Sequence, residues 1–190
     1  MEKEGKISEE LARIHAHLCG DGSVYMYKTN EKDRNFRAVI GYYNKNQKLL
    51  DKFREDFSKI FNVKMSIRKK RDVSVKSIRI FKFLINKFGG FDSKKWRIHK
   101  LIKNSSKKIK LEWLKAFFED EAYHEERYNR LKTKSINYLG LMDVKEILDS
   151  LGIPSNLTGP NIDKSYYLTI PKFNSIIEFE DFVKEPVRRI

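Results

Sequence analysis

Cysteine occurs once in the 190-residue chain, at Cys19. No intrachain disulfide can form and no cysteine-rich zinc site exists, so metal chemistry falls to oxygen ligands or histidine. This usage fits a reducing, cytoplasmic compartment. Long apolar runs are also missing. Nothing approaches the roughly 20 residues that span a bilayer, and Met1 to Glu10 is charged, without the apolar centre of a signal peptide. There is no glycine-rich phosphate loop, and Gly89-Gly90 reads as a turn. His124-Glu125-Glu126 lacks the second histidine of a His-Glu-x-x-His zinc motif and reads as strand or loop surface. His15 and Cys19 share a helix face at i, i+4, but without a third soft ligand they read, with His17, as helix-interface packing. Acids are scarce in one stretch: residues 62–110 hold 17 basic side chains against only Asp72 and Asp92.

The chain as a whole carries 40 Lys+Arg against 26 Asp+Glu, a net +14, with 40% hydrophobic and 13% aromatic residues. That aromatic content excludes a disordered chain, and the charge points to a polyanionic partner rather than a small neutral substrate. The charge is uneven. Residues 1–100 carry 25 basic and 12 acidic side chains, residues 101–190 carry 15 and 14. Within the basic stretch, 63–68 and 73–80 alternate apolar and polar residues around Lys69-Lys70-Arg71-Asp72, the pattern of a β-hairpin. Val63, Met65, Ile67, Val73, Val75 and Ile78 form its apolar face, and Lys64, Arg68, Lys76 and Arg79 its polar one. The plain alternative is a solvated sheet face. The near absence of acids favours a basic ribbon lying along a nucleic-acid groove and neutralising phosphates. A membrane surface is disfavoured, because these cations alternate on strands and not along an amphipathic helix.

Pattern along the chain predicts a helix over Ser8–Gly20, strands over Ser23–Lys28 and Phe36–Tyr43, a helix over Gln47–Phe61, the basic hairpin, and a short helix over Phe81–Phe88. A linking segment near Trp96–Lys110 follows. Then come a helix over Leu111–Glu121, strands over Tyr123–Arg130 and Lys132–Asn137, a helix over Gly140–Leu151, strands over Ser155–Leu157 and Tyr166–Ile170, and a helix over Phe173–Val183. The order repeats, so the chain reads as a duplication, with repeats over 1–105 and 106–190. Trp96 and Trp113 read as core. Alternation sends about half of Tyr25, Tyr27, Tyr42 and Tyr43 to the core and half to the open face.

The two repeats open alike. Leu11 to Gly22 and Leu111 to Ala122 are helices carrying small residues, Ala12, Ala16 and Gly20 in one and Ala116 in the other. Each ends in a carboxylate, Asp21 and Glu121. If the helices pack in parallel, the two acids meet at one end, an arrangement that is costly unless a cation lies between them. Hard oxygen ligands of this kind suit Mg²⁺, which held against a phosphodiester can generate hydroxide and stabilise the leaving oxygen.

The residues Ile14–Gly22 and Leu114–Ala122 resemble the paired nine-residue motifs of the LAGLIDADG homing endonucleases. The Gly20-Asp21-Gly22 and Phe117-Phe118-Glu119-Asp120-Glu121 endings resemble archaeal, two-motif members. The resemblance covers nearly the whole chain. It implies an α+β fold of duplicated αββαββα repeats, with two antiparallel four-stranded sheets forming a DNA-binding saddle around a central pair of motif helices. It further implies a monomer with pseudo-twofold symmetry that cuts a double-stranded DNA site, with intron RNA as the alternative partner. Asp21 and Glu121, with Gly20 and Asp120, would hold Mg²⁺, with Mn²⁺ or Ca²⁺ as substitutes, and Lys45 would stabilise charge in the transition state. Lys28, Arg37, Lys64, Arg68, Lys69, Lys70, Arg71, Lys76, Arg79, Lys132 and Lys134 would contact DNA. Several residues depart from the family pattern. His15, His17 and Cys19 are unusual in a motif helix, Asp120 replaces a small residue, Ala122 stands where glycine is usual, and Ser135-Ile136-Asn137 has no lysine where the first repeat has Asn44-Lys45. A binding protein that has lost catalysis, such as an intron RNA maturase or a transcriptional regulator, is the competing expectation.

Overall fold

The computed structural model describes residues 7–29, 36–68 and 71–173, with Arg68 in backbone only. Helix α1 (Glu9–Cys19) begins where the Ser8 hydroxyl accepts the Leu11 N–H at 3.3 Å, with Glu9 and Glu10 in the first turn, where the helix dipole favours acids. It leads into strands β1 (Gly22–Lys28) and β2 (Phe36–Tyr43), helix α2 (Gln47–Phe61), strands β3 (Ser66–Arg68) and β4 (Asp72–Lys76), and helix α3 (Ile78–Phe88). A short helix α4 (Lys100–Lys103) precedes α5 (Lys107–Glu121). The second half continues with β5 (Ala122–Glu125), a single 3₁₀ turn (Glu126–Tyr128), β6 (Arg130–Ser135), α6 (Tyr138–Ser150), β7 (Asn156–Thr158) and β8 (Tyr166–Pro171).

The strands form two antiparallel four-stranded sheets, ordered β1-β2-β4-β3 and β5-β6-β8-β7. The second order repeats the first, shifted by four strands, which bears out the duplication and the expected fold class. Register aligns the repeats residue by residue. Gly22 pairs with Tyr42 in one sheet and Ala122 with Thr133 in the other. After the second strand of each repeat, Asn46 and Asn137 cap the next helix. Tyr42, Asn44, Lys45 and Asn46 thus correspond to Thr133, Ser135, Ile136 and Asn137.

The motif helices α1 and α5 pack in parallel at the centre. Arg13 meets Glu112 near their N-terminal ends, His15 meets Trp113 one turn on, and His17 meets Asp120 near their C-terminal ends. Helix α1 is buried almost all the way round, as a helix enclosed by others should be. Its apolar surface joins Ile40, Tyr42, Phe53 and Phe57 of the first repeat to Trp113, Leu114 and Phe117 of α5 in one core. Trp96 and Trp113 are both core residues, as expected. Beyond the first turn the exception on α1 is Arg13, which holds Asp56 of α2 through two bonds at 2.7 and 2.8 Å and Glu112 of α5 at 2.5 Å.

Several expected boundaries move. The second hairpin strand stops at Lys76, because the Ser77 side chain accepts the Ile80 N–H and starts α3 three residues earlier than predicted. Arg79 therefore sits exposed in the first turn of α3 and not on the ribbon, and Ile78 leaves the ribbon's apolar face with it. Strand β3 is only three residues long and Lys64 precedes it. Helix α5 starts at Lys107, absorbing the end of the linker. The strand predicted over Tyr123–Arg130 is broken by the 3₁₀ turn and by Asn129 in the left-handed region, and Asn137 is a cap rather than the end of a strand. Lys69 and Lys70, and the helix predicted over Phe173–Val183 beyond its first residue, lie outside the described residues.

Arg13→Ala leaves Asp56, 2% exposed, with only the 3.5 Å contact of Lys52. Urea unfolding is expected to show a loss of about 3 kcal/mol, the cost of breaking a buried pair. Lys145→Ala, which removes an i, i+4 pair with Asp149 on the outer face of α6, is expected to leave the midpoint nearly unchanged.

Candidate catalytic centre and nucleic-acid face

Asp21 lies between the end of α1 and the start of β1, and Glu121 is the last residue of α5. The residues just before them, Gly20 and Asp120, touch: a Cβ added to Gly20 would lie 2.9 Å from the Asp120 Cβ. With the helices parallel, both acids leave the same end of the interface, half-exposed. Two carboxylates emerging together match a divalent cation held jointly with phosphate oxygens and water.

Asp120 departs from its expected role. It is 2% exposed, and both its oxygens are engaged by first-repeat donors. Oδ2 lies 2.8 Å from His17 Nδ1, and Oδ1 accepts from the Tyr42 hydroxyl at 2.7 Å and the Asn44 amide at 3.1 Å. Its side chain is thereby withdrawn from the metal-ligand set, and Gly20 can contribute only a carbonyl. The same Asn44 amide lies 3.4 Å from Asp21 Oδ2, while Asn44 Oδ1 accepts the Asn46 N–H at 2.9 Å. Lys45 is exposed beside this group. In the second repeat the equivalent of Lys45 is Ile136, also exposed, so the expected absence of a second lysine holds. Lys134, the nearest candidate, is instead paired with Asp163 at 2.6 Å.

The motif-helix histidines are structural, and their environments differ. Burial pushes the His15 imidazole down to about 3, with the nearby His99 adding to the effect. Trp113 Nε1, which can only donate, lies 2.9 Å from His15 Nδ1, so the neutral ring carries its proton on Nε2. Burial opposes charge on His17 too, but the Asp120 carboxylate outweighs it and raises that group above the ordinary histidine value. Burial and the Asp143 and Glu121 charges hold the Cys19 thiol well above its usual value, so it is an unreactive core group.

Alternation leaves one face of each sheet open, since α1, α2 and α3 share the core on the other face of the first sheet. On the open face of the first sheet are Ser23, Tyr25, Tyr27, Arg37, Tyr43 and Lys76. Tyr42 turns to the core while Tyr25 and Tyr43 are exposed, the division that alternation requires. Lys28 differs from expectation: it shares the parity of Val24, on the core-facing side, where it ends the strand 5.2 Å from the Phe36 ring. Arg71 is exposed in the hairpin turn, and its carbonyl accepts the Asn44 N–H at 3.0 Å, which puts the basic turn beside Asp21 and Lys45. On the second sheet, Arg130, Lys132 and Lys134 share the open face with Tyr123 and Tyr167. Lys132 lies 4.7 Å from the Tyr167 ring and 5.8 Å from that of Tyr123.

The two faces differ in how their cations are compensated. Glu125 pairs with Arg130 at 3.0 Å and Lys132 at 3.3 Å, and Asp163 with Lys134. Among the described residues no carboxylate pairs with Arg37, Lys45, Lys64, Arg71 or Lys76. Much of the basic excess lies elsewhere. Residues 77–110 supply eleven of the 17 cations of the basic stretch, on α3, the linker, α4 and the start of α5, with Asp92 their sole acid. These elements pack on the helical side, where burial, with the Lys100 and Lys87 charges adding to it, depresses the His99 imidazole.

Sequence reasoning missed the Asp120 array and the Tyr123–Lys132–Tyr167 stack. The visible signal was the polar residues on an otherwise apolar motif helix; the tyrosine–lysine stack joins three strands and has no local signal.

Since His15 must stay neutral when folded, stability is expected to fall as pH drops from 6.5 toward 3, where the unfolded chain takes up a proton that the folded one refuses. His15→Asn offers an amide oxygen to Trp113 and cannot titrate. Its unfolding free energy should fall less steeply across that window.

No family model matches the chain, and no curated protein does. Solved structures do match over nearly its full length. I-DmoI in complex with DNA and Mn superposes at a TM-score of 0.69 with 16% identity, over 94% of this chain and 98% of that one. The homing endonuclease I-WcaI bound to its DNA recognition sequence superposes at 0.55 with 12% identity, over 96% and 84%. I-SmaMI bound to uncleaved DNA target in the presence of calcium ions superposes at 0.54 with 11% identity, over 96% and 86%. With its two parallel motif helices and paired four-stranded sheets, the chain has the two-repeat fold of the LAGLIDADG homing endonucleases.

Proposed function

We propose that the protein is a site-specific, divalent-metal-dependent DNA endonuclease that acts as a monomer. The observation that carries this reading is the emergence of Asp21 and Glu121 from one end of the α1–α5 interface, between two open sheet faces. The structural relatives support it, being bound to DNA in the presence of Mn or calcium. The donor set fits Mg²⁺: one hard carboxylate at each of two sites, Asp21 and Glu121, where a scissile phosphate and water would complete the shell. When bound, the metal supplies an activated water and charge neutralisation at the leaving oxygen. Asp21 and Glu121 would hold the metal through their carboxylates, one acid for each scissile phosphate. Lys45 brings a cation to the pentacovalent phosphate at the Asp21 side, and Ile136 brings none at the other. The strand served by Asp21 and Lys45 is therefore cut faster.

Asp21→Asn and Glu121→Gln should each abolish Mg²⁺-dependent double-strand cutting in a target-library screen while leaving DNA retention within a few fold. Cutting that survives both substitutions would sink the nuclease reading. The substitution of Ile136 for a lysine favours a second reading, a binding protein of the same fold. On that reading the wild type would retain target DNA or intron RNA and cut neither.

The DNA grip rests on the first sheet face, with Arg37, Arg71 and Lys76 contacting phosphate and Lys28 and Lys64 nearby. Neutralising Arg37, Arg71 and Lys76 together should reduce the slope of log K against log salt by about 0.9 per lost phosphate contact. Neutralising Lys132 and Lys134, which already have acid partners, should reduce it less, and neutralising Lys82, Lys87 and Lys100 on the helical side should leave it nearly unchanged. A larger effect from the helical-side set would move the DNA to that surface.

A further inference from the structure

Positions 20 and 120 are equivalent in the two repeats and face each other across the helix interface, too close for two side chains. The one side chain present is Asp120. Although it belongs to the second motif helix, its partners His17, Tyr42 and Asn44 are all first-repeat residues. The same array cannot be built at the symmetric place. The equivalents of Asp120, His17, Tyr42 and Asn44 are Gly20, Phe117, Thr133 and Ser135. Thr133 is 1% exposed and its hydroxyl has no hydrogen-bond partner, so no carboxylate reaches it as Asp120 reaches Tyr42.

Asn44 links this array to the acid. One amide nitrogen serves Asp120 and Asp21 together, and its oxygen is fixed by the Asn46 N–H at the start of α2. An amide tied at both ends cannot rotate without losing bonds, so Asp120, together with the Tyr42 hydroxyl and the Asn46 N–H, fixes the orientation of Asn44 and through it one contact of Asp21. We propose that Asp120 is a positioning residue for the first metal site, bracing the Asp21 carboxylate across the helix interface through Asn44, so that the Asp21 site is pre-organised by a device the Glu121 site cannot have. The inference rests on the metal-binding part of the nuclease reading and not on cleavage itself.

The test is Mn²⁺ binding to the full-length protein without DNA, followed by electron paramagnetic resonance of the free ion. The wild type should show a site that is lost in Asp21→Asn. Asn44→Ser, which copies Ser135 and retains an acceptor for the Asn46 N–H, should weaken that site about tenfold, the scale of a group that orients a metal ligand. Asp120→Ala should do the same, and Asp120→Asn, which keeps an oxygen for Tyr42 and Asn44, should recover most of the affinity. Thermal unfolding of each variant separates misfolding from loss of orientation. Unchanged affinity in folded Asn44→Ser and Asp120→Ala would overturn the proposal, and so would the absence of any Asp21-dependent site. If the Mn²⁺ pattern holds but no DNA is cut, the nuclease reading fails and the positioning role stands.

Discussion

The contact between Gly20 and Asp120 is the constraint on which the rest depends. Two helices that come this close at their C-terminal ends must carry nothing at one of the two facing positions, and glycine at 20 meets that demand. The same approach brings the next residues, Asp21 and Glu121, out at one end. It also forces the side chain at 120 to turn into the first repeat, where a buried carboxylate is tolerable only if donors satisfy it. His17, Tyr42 and Asn44 are those donors. An unusual histidine on a motif helix and an unusual acid at a small-residue position are thus one substitution pattern, and each explains the other.

Symmetry is broken in the same direction at two further levels. At the strand ends, Lys45 has Ile136 as its counterpart. On the open faces, Arg37, Arg71 and Lys76 carry no acid partner among the described residues, whereas Glu125 and Asp163 hold Arg130, Lys132 and Lys134. The near neutrality of the second repeat has two sources: acids set against the face cations, and acids such as Asp143 and Glu146 on α6 that hold Arg97 and Lys103.

Much of this was legible in the sequence. The order of elements and the duplication follow from periodicity and spacing, because apolar patterning records which face of each element is buried, while the motif helices and the missing second lysine follow from the family resemblance. The placement of charge was less legible. The density of cations over 62–110 was visible, but Ser77 ends the ribbon as a helix cap, and eleven cations pass to the helical side. A cap and a strand residue look alike until the helix is seen to begin. The Asp120 array was illegible for a different reason: Asp120 lies between 76 and 103 positions from its three partners, so nothing local pairs them.

The most direct measurement is the structure of the protein with its cleavage-screened DNA target and Ca²⁺. The expected result is DNA across the two open sheet faces, with Ca²⁺ bound by Asp21 and Glu121 against the scissile phosphates and Asp120 still held by His17, Tyr42 and Asn44. DNA on the α3–α4 side, or Ca²⁺ away from both acids, would contradict it.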